Sequence, residues 1–448
     1  MGGPRPPYTM SLPLPSLPQP AVPGPLLVAL SGGLDSTVLL HLLAADSGLR
    51  ARGLRALHVH HGLLAEADAW ADHCRRACAG LGLPLEIARV SVNRESGLGP
   101  EAAARQARYQ AFESTLREYE ILALAHHRDD QAETFLLHAL RGSGVDGLRA
   151  MPAWRRLGRG WLWRPLLEQP REALLEYARA HGLRWVEDPT NAGADHDRNH
   201  LRLHVLPRLR ERWPHADRAL ARSAGLAGEA ARLLATEDAA ALLAASTADP
   251  DTIDATRLLQ LPRERRARVL RLWLDRIGLP ALPGEGVARI EADLLGPAGD
   301  ASPEFAWSGA AVRRWRGLLH ASSVSPPLPP DYQAQWDGRA PLLLPTGDTL
   351  ELEGASGAAP TPDDPWPLTV RARQGGERIT LPGRSHSHAL RNVLQEKDVP
   401  PWVRERLPLL CAQDGSLLAA GDVVLADGFK RQLAEAGLEL RWRCPDHA

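Results

Sequence analysis

Lysine is almost missing from this 448-residue chain; Lys397 and Lys430 are its only two. The N-terminal half therefore has no lysine to hold a phosphate, and no Gly-Lys-Ser/Thr string of a Walker A loop. Cysteine is sparse as well: Cys74, Cys78, Cys411 and Cys444. Cys74 and Cys78 stand four apart on an expected helix, outside the C-x-x-C spacing of zinc and iron–sulfur sites, and read as buried thiols. So few thiols point to a cytoplasmic home. No uninterrupted apolar run approaches the roughly 18–20 residues that span a bilayer, which argues against a membrane partner. The first 25 residues are rich in proline and lack the apolar core of a signal peptide, so residues 1–24 read as a disordered tail. A net charge of −1 excludes a protein that coats nucleic acid by bulk charge alone.

What is present is a soluble, arginine-rich composition, 44% hydrophobic and 24% charged, long enough for two to four domains. The chain is organised around Val28-Ala29-Leu30-Ser31-Gly32-Gly33-Leu34-Asp35-Ser36-Thr37. Apolar residues 27–30 predict a short buried strand, Ser31 to Gly33 a sharp turn, and 35–43 a helix. A strand, a glycine turn and a helix start make an anion site, because free N–H groups point at the ligand and glycine lets phosphate oxygens approach. Strands are then expected at 53–61, 85–92 and 121–125, and helices at 65–81, 100–119 and 129–140. That alternation predicts an α/β fold with a mostly parallel sheet, which binds ligands at the carboxyl ends of its strands.

The polar residues fall at those ends: Ser31–Ser36, His58–His61 and His126–Asp130. If a helix starts directly after the 121–125 strand, His126, Asp130 and Glu133 share one face. An imidazole and two carboxylates there suit a Mg²⁺ ion, a nucleotide or a cationic substrate. The plainer alternative is a solvated helix start whose acids complement the dipole.

Several strings together make a more specific pattern. Ser-Gly-Gly-x-Asp-Ser at 31–36 resembles the pyrophosphate loop of the ATP pyrophosphatase (PP-loop) superfamily. With His58–Leu63, Glu101–Tyr109, His126–Thr134, Leu140–Leu148, Arg164-Pro165-Leu166-Leu167, Glu187–Asn191 and Arg198-Asn199-x-Leu201-Arg202, it resembles the tRNA(Ile)-lysidine synthase family, in family order over roughly residues 26–206. Three family positions differ: His60 stands where asparagine is usual, Leu64 where arginine is usual, and the asparagine often carried just before the Glu101 helix is missing.

The resemblance implies a Rossmann-like parallel-sheet PP-loop domain at 25–215. A mainly helical middle domain that binds tRNA or substrate follows at 216–325, then a linker with a short β segment at 326–367. A small α+β tRNA-binding domain fills 368–448. It implies a C–N ligase that uses ATP and Mg²⁺ to join L-lysine to C2 of the wobble cytidine in the CAU anticodon of tRNA(Ile), through an adenylated cytidine. A homodimer is among the assemblies it allows. Ser31, Gly32, Gly33, Leu34, Asp35, Ser36, Thr37, His61, Arg105 and His126 would bind ATP, with Asp35 as the Mg²⁺ carboxylate. Asp130, Glu133 and Arg198 would bind lysine, and Asp35, His126, Asp130, Glu133 and Arg198 would carry catalysis.

In the C-terminal half, Arg313-Arg314-Trp315-Arg316 is a basic, aromatic string of the kind that contacts RNA. Arg141, Arg313, Arg314, Lys397 and Arg404 are the candidate tRNA contacts. Two rival readings are a tRNA thiolase, which would call for a catalytic cysteine pair, and a non-catalytic RNA-binding relative.

Overall fold

The structure, a computed structural model, describes residues 17–62, 66–91, 100–187, 197–296, 303–354, 366–384 and 386–443, with backbone alone at 100–102. The readings of residues 1–16, 63–65 and 188–191, of the Glu101 side chain and of Cys444 lie outside them. The chain divides into two compact units, residues 1–236 and 237–448.

Unit one runs β1 (Leu26–Ala29), α1 (Leu34–Ala45), α2 (Ser47–Ala51), β2 (Leu54–His60), α3 (Ala67–Leu81), β3 (Leu85–Arg89), α4 (Pro100–Thr115), β4 (Ile121–Ala123) and α5 (Arg128–Leu140). It continues through α6 (Val145–Leu148), the hairpin β5 (Trp154–Leu157) and β6 (Gly160–Trp163), and α7 (Arg171–Ala180). Last come α8 (Asp197–His200), a π-helical turn at Leu201–Val205, α9 (Leu206–Arg212) and the long α10 (Ala216–Ala245), which continues into the second unit. Six strands pair in the order β3-β2-β1-β4-β6-β5, all parallel except β5 against β6.

Both faces of this sheet are covered, so its strands are apolar without alternation. Leu26 and Val28 enter one core with Val38, Leu39 and Leu174. Leu27 points the other way, into a core with Leu57, Phe112 and Leu122. Because β1 sits between β2 and β4, the loop after it opens where the crossovers diverge, at a topological switch point. Two features differ from the sequence reading. The β5/β6 hairpin lengthens the sheet. Residues 17–24, grouped with the tail on proline content, lie against the body instead: Leu17 and Val22 pack on the core, and Arg52 donates to the Val22 and Gly24 carbonyls at 2.7 and 3.0 Å.

Unit two begins with a helical stretch that carries its own antiparallel sheet. Its elements include β7 (Thr252–Asp254), α11 (Ala255–Leu259), α12 (Arg263–Arg276), β8 (Glu304–Trp307), β9 (Ala310–Trp315) and β10 (Leu318–Ser323), the strands ordered β7-β10-β9-β8. Pro262 separates α11 from α12, as the N-cap of the second helix. Beyond it lie antiparallel sheets of five, three and two strands around a core that includes Trp336, Leu368, Leu409 and Phe429.

Candidate active site

The loop after β1 is shaped by its own side chains. Gly32 has φ +88°, and a Cβ there would meet Val186 and Cys74 at 3.1 and 3.2 Å, so both backbone and space require glycine. The Ser31 and Ser36 hydroxyls lie 3.0 Å apart, Ser31 Oγ accepts from the Gly33 N–H at 3.2 Å, and Ser36 Oγ donates to the Gly33 carbonyl at 3.1 Å. Thr37 is the first residue of α1 to bond back, its N–H donating to the Gly33 carbonyl at 3.0 Å. The N–H groups of Leu34, Asp35 and Ser36 precede that bond and are the groups a helix start offers to an anion.

Asp35 sits in that first turn. Burial raises its carboxyl above the usual range, against the pull of His127 and Arg171. Its Oδ1 is buried and has no hydrogen-bond donor. Oδ2 lies 3.7 Å from His127 Nε2, and Arg171 Nε approaches Oδ1 at 4.0 Å.

His127 joins this loop to α5. It is the N-cap of α5 and forms a reciprocal capping box: the Asp130 N–H donates to its ring, and Asp130 Oδ2 accepts the His127 N–H at 3.0 Å. One buried imidazole therefore touches Asp35 of the anion loop and Asp130 of the carboxylate pair. The helix starts at Arg128, not at once after β4. His126 lies before the cap, and helical spacing is not what brings it near Asp130 and Glu133. Histidine is not among the residue types preferred at an N-cap, so the sequence carries no local sign of this one.

His126 accepts a hydrogen bond from Arg164 Nε at 3.1 Å through Nδ1. Burial, helped by Arg164, Arg198 and Arg105, pushes its pKa down to about 3 against the pull of Asp130. The ring is thus neutral with Nδ1 bare, and Nε2 carries the proton as a donor.

Asp130 and Glu133 are both buried and both engaged. Arg198 donates to Glu133 Oε2 at 2.7 Å and to Asp130 Oδ1 at 2.8 Å. Arg202 grips Glu133 with two bonds of 2.7 and 2.9 Å and reaches Asp130 Oδ1 at 3.2 Å. Burial opposes ionisation of Asp130, but His127, Arg198 and His126 outweigh it and hold its pKa at about 2. Two carboxylates and two guanidinium groups alternate in one cluster. Arg210 extends it, bridging Asp217 at 2.6 Å and Asp129 at 3.2 Å. Arg202 and Arg164 were not singled out as site residues. The four-residue step from Arg198 to Arg202 was the available signal for the first.

The remaining candidates are more scattered. His61 is half-buried just beyond β2. Arg105, exposed on α4, lies over the Tyr109 ring at 5.2 Å. Arg141 approaches exposed Asp197 at 3.8 Å. In unit two, Arg313 pairs with Glu304 and stacks on Trp402 at 5.3 Å, whereas Arg314 donates to the Leu294 and Gly296 carbonyls at 2.9 and 2.6 Å. Arg404 donates to the Val399 carbonyl at 2.7 Å, and Lys397 caps its helix in an exposed position.

Comparison with known proteins agrees with this architecture. Residues 14–209 match the PP-loop domain, 254–320 the TilS substrate binding domain and 368–442 the TilS substrate C-terminal domain. A tRNA(Ile)-lysidine synthase of Xanthomonas axonopodis pv. citri is 53% identical over 421 residues, 94% of each chain. The chain belongs to the tRNA(Ile)-lysidine synthase family. Other members match over a similar length: that of Xylella fastidiosa (strain Temecula1) is 51% identical over 97% of this chain and 98% of its own. That of Coxiella burnetii is 40% identical over 93% of both. Membership in this family and a PP-loop domain imply that the chain uses ATP.

Proposed function

We propose that this chain ligates L-lysine to C2 of the wobble cytidine of tRNA(Ile) with a CAU anticodon, consuming ATP and releasing AMP and pyrophosphate. The observation that carries the reading is the His127 bridge, which joins an anion loop to an amine-suited carboxylate pair through one side chain.

A C2 oxygen is a poor leaving group. Its attack on the α-phosphate of ATP forms a C2–O–P linkage and breaks the bond to pyrophosphate. The N–H groups of residues 34–36 and the Ser31, Ser36 and Thr37 hydroxyls receive that pyrophosphate. The lysine ε-amine then forms the N–C2 bond, the C2–O bond breaks, AMP leaves with the oxygen, and the amine loses its proton to solvent. Neutral His126 donates through Nε2 to the developing negative charge rather than acting as a base. Leu34 contributes its N–H, while His61 and Arg105 flank the nucleotide.

Lysine carries a carboxylate and two ammonium groups, and the Asp130–Arg198–Glu133–Arg202 cluster alternates sign to match. The substrate carboxylate pairs with Arg198, and its ammonium groups take Asp130 and Glu133 oxygens from the arginines. Asp35 suits Mg²⁺: Oδ1 lacks a donor, and this hard cation takes one or two protein carboxylates and completes its shell from substrate phosphates and water. When bound, the ion neutralises phosphate charge.

A thiolase reading draws no support from the cysteines of this unit. Burial pushes the Cys74 thiol up to about 12 and Cys78 to about 11, which leaves no thiolate for sulfur transfer. A catalytically inert reading leaves the desolvated Asp35 without a purpose. The chain has no helix long and apolar enough to cross a membrane among the described residues, and we place the reaction in the cytoplasm with tRNA. Multiple-turnover release of pyrophosphate tests the function. It is expected only with both tRNA(Ile) and lysine present; release that ignores lysine would overturn it.

A further inference from the structure

Beside α5, and lined by none of the residues of the loop after β1, lies a cavity of about 400 Å³, bordered by Arg105, Tyr109, Arg155, Arg164, His138 and Met151. Three arginines meet there, and among the described residues no carboxylate pairs with any of them. Arg164 is 4% exposed, and its partners are neutral: His126 Nδ1 and the Pro152 carbonyl at 2.6 Å. A buried cation with only neutral partners is costly and is stabilised when an anion arrives. Arg105 and Arg155 both lie over the Tyr109 ring, at 5.2 and 5.4 Å, and the Tyr109 hydroxyl is close enough to Arg155 and Arg164 to interact electrostatically with both. Burial lowers the Arg164 pKa, and crowding by Arg155 and Arg105 adds to the effect.

The chemistry is that of a phosphate beside an aromatic or apolar surface. Two sources offer it, the ATP triphosphate and an RNA phosphodiester. The loop after β1 supplies the triphosphate with its own helix start, none of the cavity's residues belongs to that loop, and Arg105 alone among its three arginines also flanks the nucleotide in the proposed function. The cavity also has the volume of a small-ligand site, and Tyr109 and Met151 give a face on which an unstacked base can rest.

We propose that this cavity is an RNA subsite that takes a phosphodiester, with its base, of the single-stranded anticodon loop adjoining the reacting nucleotide. The proposal rests on the reading that RNA is the substrate. Arg164 links the two sites, since the guanidinium that faces the cavity also fixes the tautomer of His126.

The test compares the full chain with Arg155→Ala and Tyr109→Phe, neither of which belongs to the PP-loop. Equilibrium binding of an unmodified CAU-anticodon tRNA(Ile) transcript is measured without ATP or lysine, across a salt series, and KM for ATP is measured separately. Arg155→Ala is expected to weaken RNA binding roughly tenfold and to make the log–log salt slope shallower by about 0.7–0.9, with KM for ATP within twofold. Tyr109→Phe is expected to show a smaller loss of the same kind. An ATP KM that rises as much as RNA affinity falls assigns the cavity to the nucleotide and overturns the proposal. RNA affinity and salt slope unchanged in Arg155→Ala also overturn it. A chain that binds RNA through Arg155 yet never incorporates lysine refutes the proposed function and leaves the subsite standing. A chain that binds no RNA refutes both.

Discussion

The two units draw on the same arginine-rich composition and use it in opposite ways. In unit two the arginines are spent on the fold. Arg265 and Arg268 converge on buried Asp238, Arg314 ties down two carbonyls, and Arg443 pairs with Glu351 and Glu353 across a sheet. In unit one, Arg198 and Arg202 hold buried carboxylates beside the anion loop, and Arg164 is buried without one. An arginine in this chain is informative when its partner is a buried carboxylate in a cleft, or when a partner is missing. The residue type alone says little.

That contrast can be broken most sharply at Glu133. Glu133→Gln removes the charge beneath two guanidinium groups, and lysine-dependent turnover should fall by about 100-fold or more. Binding of a non-hydrolysable ATP analogue should stay within threefold; equal loss of ATP binding would mean the cluster is a scaffold for the loop. Asp35→Asn comes next. Pyrophosphate release should drop about 100-fold, while the ligand-free melting temperature rises. The sign follows from its raised pKa: the folded state pays to ionise Asp35, so that stability is intact below the ordinary 3.8 and is lost as pH rises through the folded value. A fall in melting temperature at pH 7 would contradict it.

His126 gives a third, smaller effect. With its pKa near 3, it stays neutral at working pH, so the rate profile should show no limb near pH 6.5 that His126→Gln abolishes. Its depressed pKa adds stability that is present above 6.5 and is lost as pH falls from 6.5 towards 3, so His126→Gln should flatten the acid side of a melting-temperature profile. The smallest effects belong to unit two. Arg314→Ala leaves two carbonyls without their donor and should cost about 1–3 kcal/mol in denaturant unfolding, with turnover per folded molecule unchanged. Exposed Arg443→Ala should leave the melting temperature unchanged within error.

Most of unit one was legible in the sequence because its signals are local. Apolar runs such as Leu26–Ala29 and Ile121–Ala123 mark fully buried strands, and Ser31–Gly33 marks the turn. The β5/β6 hairpin was not legible: Trp161, Leu162 and Trp163 form a short apolar run next to arginines, and only pairing with β4 makes them strand. The site was half legible. Asp35, His126, Asp130 and Glu133 stand in recognisable strings. The occupancy of the two carboxylates by Arg198 and Arg202, 65 and 69 residues away from Glu133, is a tertiary fact. The same holds for Arg314. Its charge pattern suggested RNA, and the structure shows its guanidinium bonded to the backbone.

The central claim is that one site adenylates an RNA base and hands it to lysine. Incorporation of labelled lysine into a CAU-anticodon tRNA(Ile) transcript, beside one in which the wobble cytidine is replaced by uridine, tests it directly. The account predicts ATP-dependent labelling of the first alone, lost in Glu133→Gln; labelling of both, or of neither, would contradict it.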